Sequence, residues 1–262
     1  PRRTPRQIFD DYVQDRWGDR MRAVTQGQGR EMVRPTRSGV ADLEGLRMQA
    51  IQNPGSFQAR LRFGQALFDA ERFDEAESEL RAALTLFPEY GGLDSPYIYL
   101  AGIHRENGEL ERAARALQQL GRLGETLFPV HLQEAELWVE QGEMTSAARA
   151  LEKAVEIVPF DLEAHEELAG LYEDLEEWQG AVQERRAILA LDPTDRAAAH
   201  HGLAVALARA GNRAEARRQV LKALEIAPSY EAALNLLLEL RGRGDGSGSN
   251  RESGSMSEGR TP

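Results

Sequence analysis

The chain has 262 residues and a net charge of −11; 41% of its residues are hydrophobic, 29% charged and only 6% aromatic. That is enough for one large domain or a repeat array, in a composition that favours helix over sheet. With no Cys, disulfides, thiolate nucleophiles and Cys-ligated metals are excluded, and no apolar run approaches the roughly 18 residues that would span a bilayer.

Taken from the N-terminus, Thr4-Pro5 makes a helix start, and Phe9, Val13, Trp17 and Met21 follow at four-residue spacing. That predicts an amphipathic helix that docks on a partner or on the chain itself. Residues 25–39 read as a flexible basic linker, so 1–39 form one N-terminal segment. No apolar signal-peptide core is present. A cytoplasmic protein is expected, with export left open because the chain starts at Pro1 rather than Met. The stretch 40–53 predicts a lone capping helix. The charge is uneven: residues 53–240 carry 33 acids against 18 cations, whereas both ends are slightly basic. An acidic body repels phosphate backbones, so nucleic acid is not an expected partner.

From there the sequence repeats itself. ELRAALTLFP (79–88), ALEKAVEIVP (150–159), ERRAILALDP (184–193) and QVLKALEIAP (219–228) each end an amphipathic stretch with a proline, at intervals of 71, 34 and 35 residues. A hidden copy at 94–127 fills the long interval. A period near 34 predicts stacked helix pairs. Small residues hold the register: Gly64, Ala101, Ala135, Ala169 and Ala204 in the first helices, and Ala76, Ala113, Ala147, Ala181 and Ala216 in the second. Close helix crossings require small residues at the contact. Gly108, Gly142 and Gly211 fall between the helices of their pairs, where a left-handed residue is needed.

In this register the sequence resembles the tetratricopeptide repeat family. Phe57 to Pro88 is the best match, with its Phe63-Gly64 pair, Ala76, Ala83 and closing proline. The resemblance implies an all-α right-handed superhelix. Five repeats fit (57–90, 94–127, 128–161, 162–195 and 197–230), within a domain spanning 40–240 and closed by a second capping helix at 229–240. Residues 241–262 form a Gly/Ser-rich tail expected to be disordered. Two departures stand out: Glu125 replaces the closing proline, and Glu134 sits where an apolar residue is usual.

No catalytic constellation emerges, and no cofactor or metal is expected. His131, His165 and His200 recur in register, but equivalent positions of neighbouring repeats lie a helix-packing distance apart, too far for zinc at roughly 2 Å. They are expected to fill interhelical grooves, with one of His200 and His201 buried and the other exposed. The resemblance implies a concave groove lined by the first helices, in which a protein or peptide binds. Projected onto it are Leu61, Gln65, Phe68, Ile98, Arg105, Leu132, Glu136, Glu140, Glu163, Glu166, Glu173, Asp174, His201 and Arg209. Leu61, Phe68 and Ile98 form an expected apolar flank for a ligand side chain. The acids of the central repeats read either as a solvated helix face or as a patch for a basic ligand. The expected function is an interaction adaptor or assembly scaffold; the alternative is a non-catalytic regulatory or targeting subunit of an enzyme complex. Arg far outnumbers Lys (only Lys153 and Lys222), which hints at GC-rich coding and a bacterial source.

Overall fold

The computed structural model describes residues 42–124 and 127–242. The N-terminal docking helix, with Phe9, Val13, Trp17 and Met21, the linker, the departure at Glu125 and the tail from 243 onward lie outside the described residues. Within them are twelve α-helices and no strand. The chain divides at Glu176 into two compact bodies.

The N-terminal body holds α1 (Leu43–Gln52), α2 (Phe57–Asp69), α3 (Phe73–Leu86), α4 (Pro96–Glu106), α5 (Leu110–Leu123), α6 (Phe128–Glu140), α7 (Met144–Ile157) and α8 (Leu162–Asp174). Each helix packs on the next in sequence, and α2 also touches α4. The C-terminal body holds α9 (Trp178–Ala190), α10 (Arg196–Arg209), α11 (Arg213–Ile226) and α12 (Glu231–Gly242). There too each helix packs on the next, and α10 also touches α12.

The register of small residues becomes the core. Ala76, Ala113, Ala147, Ala181 and Ala216 are all fully buried, as are Ala169 and Ala204 in the first helices. Gly64 shows why size matters. A Cβ there would sit 2.9 Å from Leu80 of α3, closer than any carbon contact tolerates. Large side chains fill the spaces between: Leu61, Phe63, Leu67 and Leu80 in one cluster, and Leu117, Leu120, Phe128, Leu151 and Leu168 in the next.

The helices of a pair start by two means. Side chains cap the first helices α2, α4, α8 and α10 but not α6, and Asn212 caps the second helix α11. Ser56, Asp161 and Asp195 accept from the backbone N–H three residues on, and Ser95 from that of Tyr97. Second helices begin from a tight turn that ends the first. Glu71, Gly108, Gly142, Glu176 and Gly211 occupy that turn, all with φ between 57° and 84°. The N–H of Gly142 bonds Val139 O at 2.9 Å and that of Glu143 bonds Trp138 O at 2.9 Å, and the same pair of bonds recurs at Gly108 and Gly211. This is the left-handed C-terminal motif that satisfies the last carbonyls of a helix. The sequence showed three of these positions through their glycines; Glu71 and Glu176 adopt the same conformation without one.

A Cβ at Gly142 would meet nothing within 4 Å. The cost of Gly142→Ala is therefore confined to the backbone. It is expected to be about 1 kcal/mol, read as a fall in the urea midpoint with unchanged m-value.

Candidate functional site

Two of the first helices of the N-terminal body expose rows of acids. On α6, Glu136 and Glu140 are exposed one turn apart. On α8, Glu163, Glu166 and Asp174 are exposed and Glu173 is half-buried. Spacings of three, four and seven residues place each row on one helix face. Arg105 of α4 lies 3.7 Å from Glu140. The two side chains are 39% and 46% exposed, so that pair contributes only tenths of a kcal/mol. Gln65, half-buried on α2, donates its amide N–H to Asp94 O at 3.4 Å.

The expected apolar flank is not available to a ligand. Leu61 and Ile98 are 1% exposed, Phe68 5% and Leu132 8%. Leu61 and Phe68 belong to the cluster around α2 and α3, and Ile98 and Leu132 to the one around α5 to α7. The physical reason is simple: an apolar side chain near a helix–helix seam is drawn into it by the area it removes from water.

His201 and Arg209 lie on α10, in the C-terminal body. They border a 740 Å³ cleft with Arg213 and Asn235. Arg209 is exposed and its guanidinium carbon lies 6.0 Å from the Trp178 ring centre. His200 and His201 are both half-buried, not one buried and one exposed. Each finds a partner of its own: His200 Nδ1 meets Gln219 Oε1 at 2.9 Å, and the His201 ring meets Tyr230 edge-on at 5.2 Å. Burial holds the His201 imidazole below 6.5, a backbone hydrogen bond to Ala232 opposes it, and the charge of Arg185 adds to the lowering. The folded state thus binds this proton less readily than the unfolded state. Stability is expected to fall as pH drops through 6.5 toward the lowered value. In His201→Gln, urea midpoints between pH 7 and pH 5 are expected to fall less steeply than in the parent.

The departure at Glu134 resolves into a polar cluster within the core. Glu134 is 3% exposed on α6. Its Oε1 accepts from the Gln118 amide at 3.1 Å and the Trp138 indole at 3.4 Å, while Oε2 lies 3.3 Å from His131 Nδ1. His131, 7% exposed, packs against Gly121 of α5, where an added Cβ would come within 2.5 Å of the ring. A buried carboxylate is tolerated because donors satisfy both oxygens. Glu134 was visible in the sequence as an anomaly, with His131 and Trp138 within a turn of it on α6, but its partner Gln118 was not, since it lies on another helix. Among the described residues no group of three or more His, Asp or Glu could hold a metal ion.

The helix pairs, the small-residue crossings and the recurring left-handed turns are now all in place. A family model described as tetratricopeptide repeat matches residues 41–91 and 132–196. The chain carries tetratricopeptide repeats. No curated protein matches the sequence. Among solved structures, YrrB, described as a tetratricopeptide repeat protein with an unusual peptide-binding site, shares 20% identity over 74% of this chain and 97% of its own, with a TM-score of 0.47. A repeat protein from Parabacteroides merdae shares 21% over 70% of this chain and 72% of its own, with a TM-score of 0.41. A thermophilic one from Thermus thermophilus shares 24% over 71% and 97%, with a TM-score of 0.33. The tetratricopeptide fold is that of a protein-interaction module, and no family of enzymes is indicated. Among the described residues no helix is long and apolar enough to cross a membrane.

Proposed function

We propose that this tetratricopeptide-repeat protein is an adaptor or scaffold that binds a basic peptide segment of another protein on the acidic first-helix faces of its N-terminal body. One observation carries the reading: Glu136, Glu140, Glu163, Glu166 and Asp174 stay exposed on α6 and α8, whereas Leu132, Leu168 and Leu171 of the same helices are buried and Val139 is the exposed apolar residue beside the α6 row. The core does not require those carboxylates. Rows of like charge repel one another, and a Lys- or Arg-bearing segment relieves that repulsion while gaining charge-assisted hydrogen bonds. The apolar anchors first expected there are withdrawn into the core, so recognition rests on charge and is steeply salt-dependent.

The test is an affinity capture with the intact chain beside a variant carrying Glu136→Lys, Glu140→Lys, Glu166→Lys and Glu173→Lys. Basic partners are expected on the parent and absent from the variant. A labelled Lys/Arg-rich peptide should lose at least about tenfold in affinity. Equal retention on both baits would make these acids a solvated face and overturn the reading.

A further inference from the structure

The opposite charge is concentrated elsewhere in the same body. The second helices α3, α5 and α7 flank the first helices α4 and α6, leaving two clefts that share α5. The first, of 570 Å³, is lined by Arg81, Arg112 and Arg115, with Leu84, Tyr97 and Leu100 as apolar wall. The second, of 280 Å³, is lined by Arg122, Arg149 and Lys153, with Gln118, His131 and Glu134 at its base. Six of the 18 cations in residues 53–240 therefore border two adjoining clefts. Among the described residues a single carboxylate lines either cleft. That carboxylate, Glu134, is buried and already engaged by Gln118, Trp138 and His131. Four of the six cations keep a glutamate partner beside the clefts, so the net positive excess there comes from Arg122 and Arg149.

The cations can be recruited. Arg81, Arg112, Arg115 and Lys153 pair with Glu77, Glu109, Glu111 and Glu156 three or four residues away on their own helix or its cap. Such exposed pairs are worth only tenths of a kcal/mol, so a ligand carboxylate displaces them at small cost. Arg149 makes no ion pair among the described residues, and Arg122 reaches only Gln118 Oε1, at 3.4 Å. The base of each cleft holds a buried, preset histidine. His104 Nδ1 lies 2.7 Å from Glu109 Oε2, and His131 Nδ1 faces Glu134. The His131 ring is thus fixed with Nε2 carrying no hydrogen bond among the described residues, in a side chain that lines the second cleft.

We propose that the second-helix face of the N-terminal body, across α3, α5 and α7, docks an acidic peptide segment of another protein, with Asp or Glu side chains in the two clefts. Charge complementarity identifies the occupant. The half-buried Leu84 and Tyr97 accept an apolar residue between its acids. This face is distinct from the acidic rows on α6 and α8, so one body presents two faces of opposite preference.

The experiment is a fluorescence-anisotropy titration of the full chain with a dye-labelled Asp/Glu-rich peptide containing interspersed Leu. Saturable binding that weakens with salt is expected. The variant Arg115→Glu/Arg122→Glu/Arg149→Glu should lose at least about tenfold in affinity, whereas Glu166→Lys/Glu173→Lys should leave it unchanged. All three arginines are exposed, so the helical circular-dichroism signal should persist. Should the triple variant fail to fold, Arg149→Glu alone should still weaken binding about threefold. No saturation below about 1 mM, or equal affinity in the arginine variants, overturns the proposal. Self-association of the parent that the arginine variants abolish, without peptide binding, would make a second copy the occupant and equally overturn it. Loss of basic-peptide binding bears only on the acidic rows.

Discussion

Glu134→Ala should lower the unfolding free energy by roughly 2–4 kcal/mol, seen as a drop in urea midpoint. The substitution does two things at once. It removes the acceptor of the Gln118 amide, the Trp138 indole and His131 Nδ1, and it opens a void under a side chain that is 3% exposed. Donors that face the core then lose their partners, which costs more than the lost bonds would in water. Glu134→Gln separates the two contributions. It keeps the volume and an oxygen for Gln118 and Trp138, and it sets an amide N–H toward His131, which can accept by changing tautomer. Its expected cost is about 1 kcal/mol. If the alanine variant melts with the parent, the cluster contributes nothing to the fold. If the glutamine variant falls as far as the alanine variant, the charge rather than the geometry holds the cluster.

Ala181→Leu should cost roughly 1–3 kcal/mol by overpacking. Ala181 is fully buried on α9, and its equivalents Ala76, Ala113, Ala147 and Ala216 are fully buried as well. A leucine has no solvent-facing rotamer there, so either its own torsions or the neighbouring helix must give way. Ala190→Leu, at an exposed position of the same helix, should change the midpoint by less than about 0.5 kcal/mol. Equal behaviour of the two variants would mean that α9 does not cross its neighbour at Ala181. Thermal denaturation followed at 222 nm reads both.

Several features were legible because they are local or periodic. The 34-residue spacing of the closing prolines, the alanines at the crossings and the glycines at three of the five turns are properties of a single helix pair written several times. Their burial and their left-handed backbone follow from the pair's own geometry. Glu71 and Glu176 escaped notice because a left-handed glutamate leaves no compositional mark. The fates of Leu61, Phe68, Ile98 and Leu132 were also hidden. Helical periodicity assigns them to a face, but whether that face is open or closed depends on how near the next helix lies.

By itself, the sequence determined that this protein is an all-helical array of repeated pairs, where three of its five turns fall, and that its body is acidic. These depend on residue period, turn chemistry and charge, which are set within about one repeat length of chain. Tertiary structure decided which charges share a surface. Gln118, Glu134 and Arg149 are spread over three helices, and only the packing of α5, α6 and α7 brings them to one cleft. The same packing turns an anomalous buried glutamate into a satisfied one and gathers six cations onto a chain that is acidic on average. Pairwise electrostatics falls with distance through space rather than along the sequence, so no count of residues could have shown it.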